Sequence, residues 1–140
     1  MQKSNNEGLL KAEAKIQQEI VMYYRNAFCL KHHCPRCMIF SIPNEGRGAA
    51  SMQLMATGLY PGAADLMLIH RRSTYSEERQ VPPEIRNRFS INKIIFIECK
   101  AEGGVQSDKQ KAFQEHCESM EIGYYIVRSL DEFKQVLKDL

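Results

Sequence analysis

The chain has 140 residues, 44% of them hydrophobic and 26% charged, with 19 basic side chains against 17 acidic for a net charge of +2. That length predicts a single domain over residues 1–140 with a core of its own, and so small a net charge cannot by itself indicate a nucleic-acid partner. No apolar stretch approaches the ~20 residues that span a bilayer, which predicts no membrane association. The opening MQKSNNEG lacks the apolar centre of a signal peptide. The five cysteines are an odd number, and Cys99 and Cys117 fall inside predicted elements. A disulfide framework is therefore not expected, and a reducing cytoplasm is.

From about Leu9 to Phe28 the apolar residues Leu9, Ile16, Ile20, Tyr24 and Ala27 recur at three- and four-residue steps, which predicts a helix. Glu13 lies on that stripe with Gln17 one turn on; by spacing alone it reads as an edge residue reaching for water. The segment KHHCPRC follows. Cys34-x-x-Cys37 beside His32 and His33 suggests a zinc clamp, but two histidines so close to the pair would struggle to close a tetrahedron. No second such pair exists in the sequence, and a polar helix-to-strand turn explains the segment. Met38 to Ile42 then reads as a strand, and Ala49 to Thr57 as a short helix stopped by Gly58. Tyr60-Pro61-Gly62 makes a tight turn.

Two short apolar runs come next, each beside an acidic residue. Asp65 precedes Leu66-Met67-Leu68-Ile69, and Glu98 follows Ile94-Ile95-Phe96-Ile97. Both runs read as buried strands. Side chains alternate along a strand, so Glu98 and Lys100 share one face while Cys99 points to the other. Two carboxylates and a lysine on one sheet are costly to bury unless they are paired or bind a cation, which makes them the first functional candidates. Between the runs, Arg71 to Lys93 carries six basic residues against three acidic and contains Pro82-Pro83. It reads as a long hairpin or lid joining two antiparallel strands, suited to a phosphate backbone or simply solvated.

After Lys100, Gly103-Gly104 breaks the strand, and Ser107-x-x-Gln110 reads as a capping box opening a helix to about Glu121, with Phe113, Cys117 and Met120 on its buried face. Gly123 is read as its stop, and Tyr124 to Val127 as a strand. Ser129-x-x-Glu132 reads as a second capping box, opening a helix with the stripe Leu130, Phe133, Val136, Leu137 and Leu140. The predicted order is αβαββαβα. The strand-helix-strand unit near the C-terminus implies a parallel crossover, so the fold class is α/β: a mixed sheet with helices on both faces.

Asp65 followed by Glu98-Cys99-Lys100 resembles the PD-(D/E)XK nuclease signature, with Ala64-Asp65 in place of Pro-Asp. More narrowly, the chain resembles the virus-type replication-repair nuclease (VRR-NUC) family from about residue 10 to 135. The likeness rests on Glu13-x-x-Ile16-Gln17, Gly58-x-x-Pro61-Gly62-x-x-Asp65, Glu98-x-Lys100, Gly103-Gly104 and Ser107-x-x-Gln110, in that order. Cys99 stands where an aliphatic residue is usual, and the Arg71–Lys93 excursion is longer than the family's hairpin.

The resemblance implies a restriction-endonuclease-like core and metal-dependent hydrolysis of DNA phosphodiesters, on branched DNA such as a Holliday junction in some relatives, by a homodimer. It makes Glu13, Asp65, Glu98, Lys100 and Gln110 the expected catalytic residues of a DNA repair endonuclease, bacterial or phage-encoded, without a small-molecule cofactor. Asp65, Glu98 and the Cys99 backbone carbonyl would hold Mg²⁺ or Mn²⁺. Lys100 would orient a water or neutralise phosphoryl charge, and Gln110 would position Lys100 or a phosphate oxygen unless its capping box consumes it. Glu13 would complete a second metal's shell or hold Lys100 in place. The rivals are a non-catalytic DNA-binding module of the same fold, a nuclease acting on RNA, and a zinc-stabilised interaction domain.

Overall fold

A computed structural model describes residues 2–30, 37–43, 49–73 and 90–140. The elements run α1 (Gln2–Tyr24, continuing as a π-helical turn Arg25–Cys29), β1 (Met38–Ser41), α2 (Ala49–Ala56), β2 (Leu66–Ser73), β3 (Ser90–Cys99), α3 (Asp108–Ser119), β4 (Gly123–Val127) and α4 (Leu130–Asp139). The strands form one mixed sheet in the order β1-β2-β3-β4. β1 and β3 are antiparallel to β2, and β4 is parallel to β3. The α/β class, the element order and the parallel crossover through α3 are thus as expected. So is the antiparallel pairing that flanks the Arg71–Lys93 excursion.

Alternation divides the sheet's residues between two cores. Ile39, Leu68, Ile95, Ile97 and Cys99 pack with Ile20 and Tyr24 of α1 and Phe133 of α4. On the other face Phe96 packs against Phe113 and Cys117 of α3, with Tyr124 beside them. Helices therefore cover both faces, as the two apolar stripes require. The first core contains one polar knot. The Tyr24 hydroxyl lies 2.9 Å from His70 Nδ1, and Cys37 Sγ lies 3.8 Å from the same atom. Burial, and then Cys37, push the Tyr24 phenol far above its usual pKa and keep it protonated.

Several boundaries differ from those expected, each for a local reason. α1 starts at Gln2 instead of Leu9, because residues 2–8 carry no apolar stripe to reveal it. β2 and β3 extend to Ser73 and from Ser90, so the excursion's two ends belong to the sheet. Lys93, counted among its basic residues, donates from Nζ to the Leu140 backbone oxygen at 2.7 Å. The rest of that excursion, 74–89, and His32, His33 and Cys34 lie outside the described residues. α3 stops at Ser119, and Met120, expected on the buried face, is 51% exposed. Glu121, at φ 58°, turns the chain, and Gly123 opens β4 instead of ending the helix. A Cβ on Gly123 would stand 2.9 Å from Ile95 Cγ2, so the glycine serves strand packing.

The approach to Asp65 is built from two turns. Leu59 N–H donates to the Leu54 carbonyl and Gly58 N–H to that of Met55, the two bonds of a Schellman ending for α2. Pro61 and Gly62 (φ 82°) then occupy the centre of a turn closed by Ala63 N–H to the Tyr60 carbonyl, the type II arrangement. Gly62 is doubly constrained. Besides its left-handed φ, a Cβ there would lie 2.4 Å from the Lys109 carbonyl carbon in the first turn of α3. Because that neighbour is backbone, Gly62→Ala is expected to lose at least about 2 kcal/mol of stability, read as a lowered urea midpoint. A midpoint unchanged from wild type would refute this packing.

Candidate active site

Register brings the two carboxylates together. Leu66 pairs with Ile97, so the next residues outward, Asp65 and Glu98, face each other across the strands. Asp65 Oδ2 accepts the Cys99 backbone N–H at 2.7 Å, and its carbonyl accepts Ile42 N–H at 2.9 Å. The half-buried Asp65 thus ties β1, β2 and β3 together at one end of the sheet.

Glu98 is completely buried, and its oxygens are divided between different partners. Oε1 receives the Lys100 ammonium at 2.9 Å and the Gln110 side-chain amide. Oε2 lies 3.4 Å from the Tyr124 hydroxyl. Lys100 is 7% exposed, so this is a buried ion pair, with neighbouring donors offsetting part of the desolvation cost. Burial, and then the neighbouring Asp65 charge, raise the Glu98 pKa to about 7 against the pull of Lys100. The Tyr124 hydroxyl is raised too, by burial and then by Glu98, and stays a donor. The thiol of Cys99 points into the opposite core, as expected, and is pushed up by burial, then by Asp65, Glu98 and Glu13.

Gln110 reconciles the two roles read for it. Its Oε1 accepts Ser107 N–H at 2.8 Å while Ser107 Oγ accepts Gln110 N–H, completing the capping box of α3. Its Nε2 is left over from the cap and donates to Glu98. It meets Lys100 on the same oxygen, Glu98 Oε1. The second predicted box is not reciprocal: Ser129 Oγ accepts Glu132 N–H, but Glu132 Oε2 reaches one residue further back, to Arg128 N–H at 2.7 Å.

Glu13 does face the protein. Its Oε1 accepts the Ala101 N–H at 3.3 Å, in the turn directly after Lys100. Arg128 holds the same turn from the other side, donating to the Ala101 carbonyl at 2.6 Å and the Gly104 carbonyl at 3.0 Å. Gln17 is half-buried and lines a groove of about 480 Å³ between α1 and β1, with Val21, Met22 and Phe40. Sequence reasoning missed Tyr124, Gln106 and Arg128. Tyr124 read as one apolar residue among four; the register that pairs it with Phe96, two residues before Glu98 on the same face of β3, is what sets it on Glu98's side.

The site offers two carboxylates on adjacent strands, a buried ammonium beside Glu98 and a neutral hydroxyl. Such a set suits hard cations and phosphate oxygens. Among the described residues no group of three or more His, Cys, Asp or Glu side chains is placed to hold a metal ion, and no helix is long and apolar enough to cross a membrane. Comparison with protein-family models, with curated proteins and with solved structures gives no match.

Because the folded-state pKa of Glu98 lies above the value of 4.5 for a free carboxyl, the folded state binds more protons than the unfolded one between these values. The contribution to stability from this group is complete below pH about 4.5 and is lost as pH rises through about 7. The Glu98 carboxyl carbon, followed by NMR, is expected to titrate near pH 7, and a midpoint at or below 4.5 would refute the environment described. Gln110→Glu keeps a cap acceptor for α3 but replaces the amide donor with an oxygen facing Glu98. It is expected to move that midpoint up while leaving helix content unchanged by circular dichroism.

Proposed function

We propose that the chain is a metal-dependent nuclease of the VRR-NUC kind, on a restriction-endonuclease-like core, hydrolysing DNA phosphodiester bonds in branched substrates such as four-way junctions. The observation that carries this reading is the packing of Asp65 and Glu98 side by side with the Lys100 ammonium 2.9 Å from Glu98 Oε1. The donor set fits a hard divalent cation, since the carboxylate repulsion that helps raise Glu98 is what a cation between the two would relieve.

Asp65, Glu98 and the Cys99 carbonyl would hold Mg²⁺ or Mn²⁺, which, when bound, supplies Lewis-acid polarisation of the phosphate and a water of lowered pKa. Lys100, paired with Glu98 at 2.9 Å, would orient that water or neutralise negative charge growing on the phosphoryl oxygens. Gln110 steadies Glu98 from the first turn of α3. Of the two roles expected for Glu13, its hydrogen bond to Ala101 favours holding the segment that carries Lys100. Symmetric incision of a four-way junction takes two active sites, so the proposal includes a homodimer acting on DNA.

The test is a cleavage assay with Mg²⁺ or Mn²⁺ on duplex, flap, four-way-junction and single-stranded RNA substrates. Glu98→Gln is preferable to Glu98→Ala, which would strand Lys100 as an unpaired buried charge, so the fold is not expected to tolerate alanine freely. Asp65→Ala and Glu98→Gln are each expected to lose at least about 100-fold in kcat/KM on junction DNA. Lys100→Met is expected to lose about 10²–10³-fold in kcat with a smaller effect on Mn²⁺ affinity. Wild-type protein that binds junctions but cuts none of these substrates would favour the binding-module reading.

A further inference from the structure

We propose that Tyr124 is a positioning residue for the Glu98 carboxylate, and that Gln106 fixes the direction of its hydroxyl proton within a hydrogen-bond chain that donates outward from Gln106 to a carboxylate at each end. Its links are Gln114 Nε2 to Glu118 Oε1 at 2.8 Å, Gln106 Nε2 to Gln114 Oε1 at 3.0 Å, Gln106 Nε2 to the Tyr124 hydroxyl at 3.3 Å, and that hydroxyl to Glu98 Oε2 at 3.4 Å. The exposed Glu118 and the buried Glu98 are the two ends.

The direction follows from donor and acceptor inventory. A carboxylate only accepts, so Gln114 must present its nitrogen to Glu118 and its oxygen to Gln106. Gln106 must then present nitrogen, and its two N–H bonds serve Gln114 Oε1 and the Tyr124 oxygen. A hydroxyl oxygen that accepts from Gln106 has its own proton free to point onward, and the neighbour there is Glu98 Oε2. Four side chains on α3, the loop before it and β4 thereby aim one proton at one oxygen.

That oxygen is the one that matters. Oε1 is occupied by Lys100 and Gln110, so Oε2, with the single long contact to Tyr124, is the oxygen that would turn to a cation. A contact of 3.4 Å is longer than the ~2.7–2.8 Å usual for hydroxyl bonds, so it limits rotation of the carboxylate without saturating the oxygen. The Tyr124 ring is set by an edge contact with Phe113, centroids 6.0 Å apart at 61°, which fixes where the hydroxyl falls.

The role in metal binding rests on the nuclease reading; the direction of the chain does not. Tyr124→Phe removes the hydroxyl and keeps the ring, and Gln106→Leu keeps the hydroxyl but frees it to rotate. The readouts are the Glu98 carboxyl carbon signal of the full chain without metal, assigned with Glu98→Gln, Mn²⁺ affinity by calorimetry, and junction cleavage. Tyr124→Phe is expected to shift the Glu98 signal and to weaken Mn²⁺ binding about 10-fold, with a matching loss in kcat/KM. Gln106→Leu should reproduce part of each effect and add nothing in the Tyr124→Phe background. An unmoved Glu98 signal in Tyr124→Phe would overturn the positioning role, and fully additive effects would overturn the directed chain. A wild type that neither binds Mn²⁺ nor cuts, while Tyr124→Phe still shifts the signal, would remove the nuclease reading and leave the positioning intact.

Discussion

A carboxylate with no exposed surface, Glu98, is the constraint to which much of this structure answers. In water such a group needs no help, but inside a protein its charge costs several kcal/mol unless donors surround it. Here Lys100 comes from the same strand face, Gln110 from the first turn of α3 and Tyr124 from β4. Asp65, across the strand pair, works in the opposite sense and helps to raise the pKa of Glu98. The group is therefore held close to its point of protonation.

The surrounding backbone is fixed at the points where these side chains leave it. Asp65 is locked by its bond to the Cys99 amide and by Ile42 donating to its carbonyl. The turn after Lys100 is held between Glu13 of α1 and Arg128 at the end of β4. The turn before Asp65 depends on Gly62, against which the backbone of α3 is seated. α3 thus packs on the segment carrying one carboxylate and, through Gln110, touches the other. One glutamine performs both the cap and the contact because its amide has two ends with opposite hydrogen-bonding character.

The likeness to the VRR-NUC family was drawn from five short motifs, and the structure relates several of them in space without naming an activity. Glu13 meets the Gly103-Gly104 turn, Gln110 meets Glu98, and Gly62 meets the start of the Gln110 helix. Motifs separated by up to about half the chain or more in sequence become neighbours at one end of the sheet. That convergence is what makes a common site reasonable.

What the sequence determined by itself is everything governed by local periodicity and local hydrogen bonding. The apolar stripe of α1 with Glu13 on it, the alternation that sets Glu98 and Lys100 opposite Cys99, and the Ser107 capping box were all legible, because each depends on residues within a few positions of one another. Boundaries failed where that information ends: the start of α1, which has no apolar stripe, the polar tips of β2 and β3, and Met120, which keeps helical spacing after the helix has stopped. Only the tertiary structure decided that Asp65 faces Glu98, that Gln110 serves cap and carboxylate together, and that Tyr124 and Arg128 belong to the site. Those facts depend on strand register and on how α3 seats against Gly62, contacts between residues far apart in the chain that no spacing rule encodes.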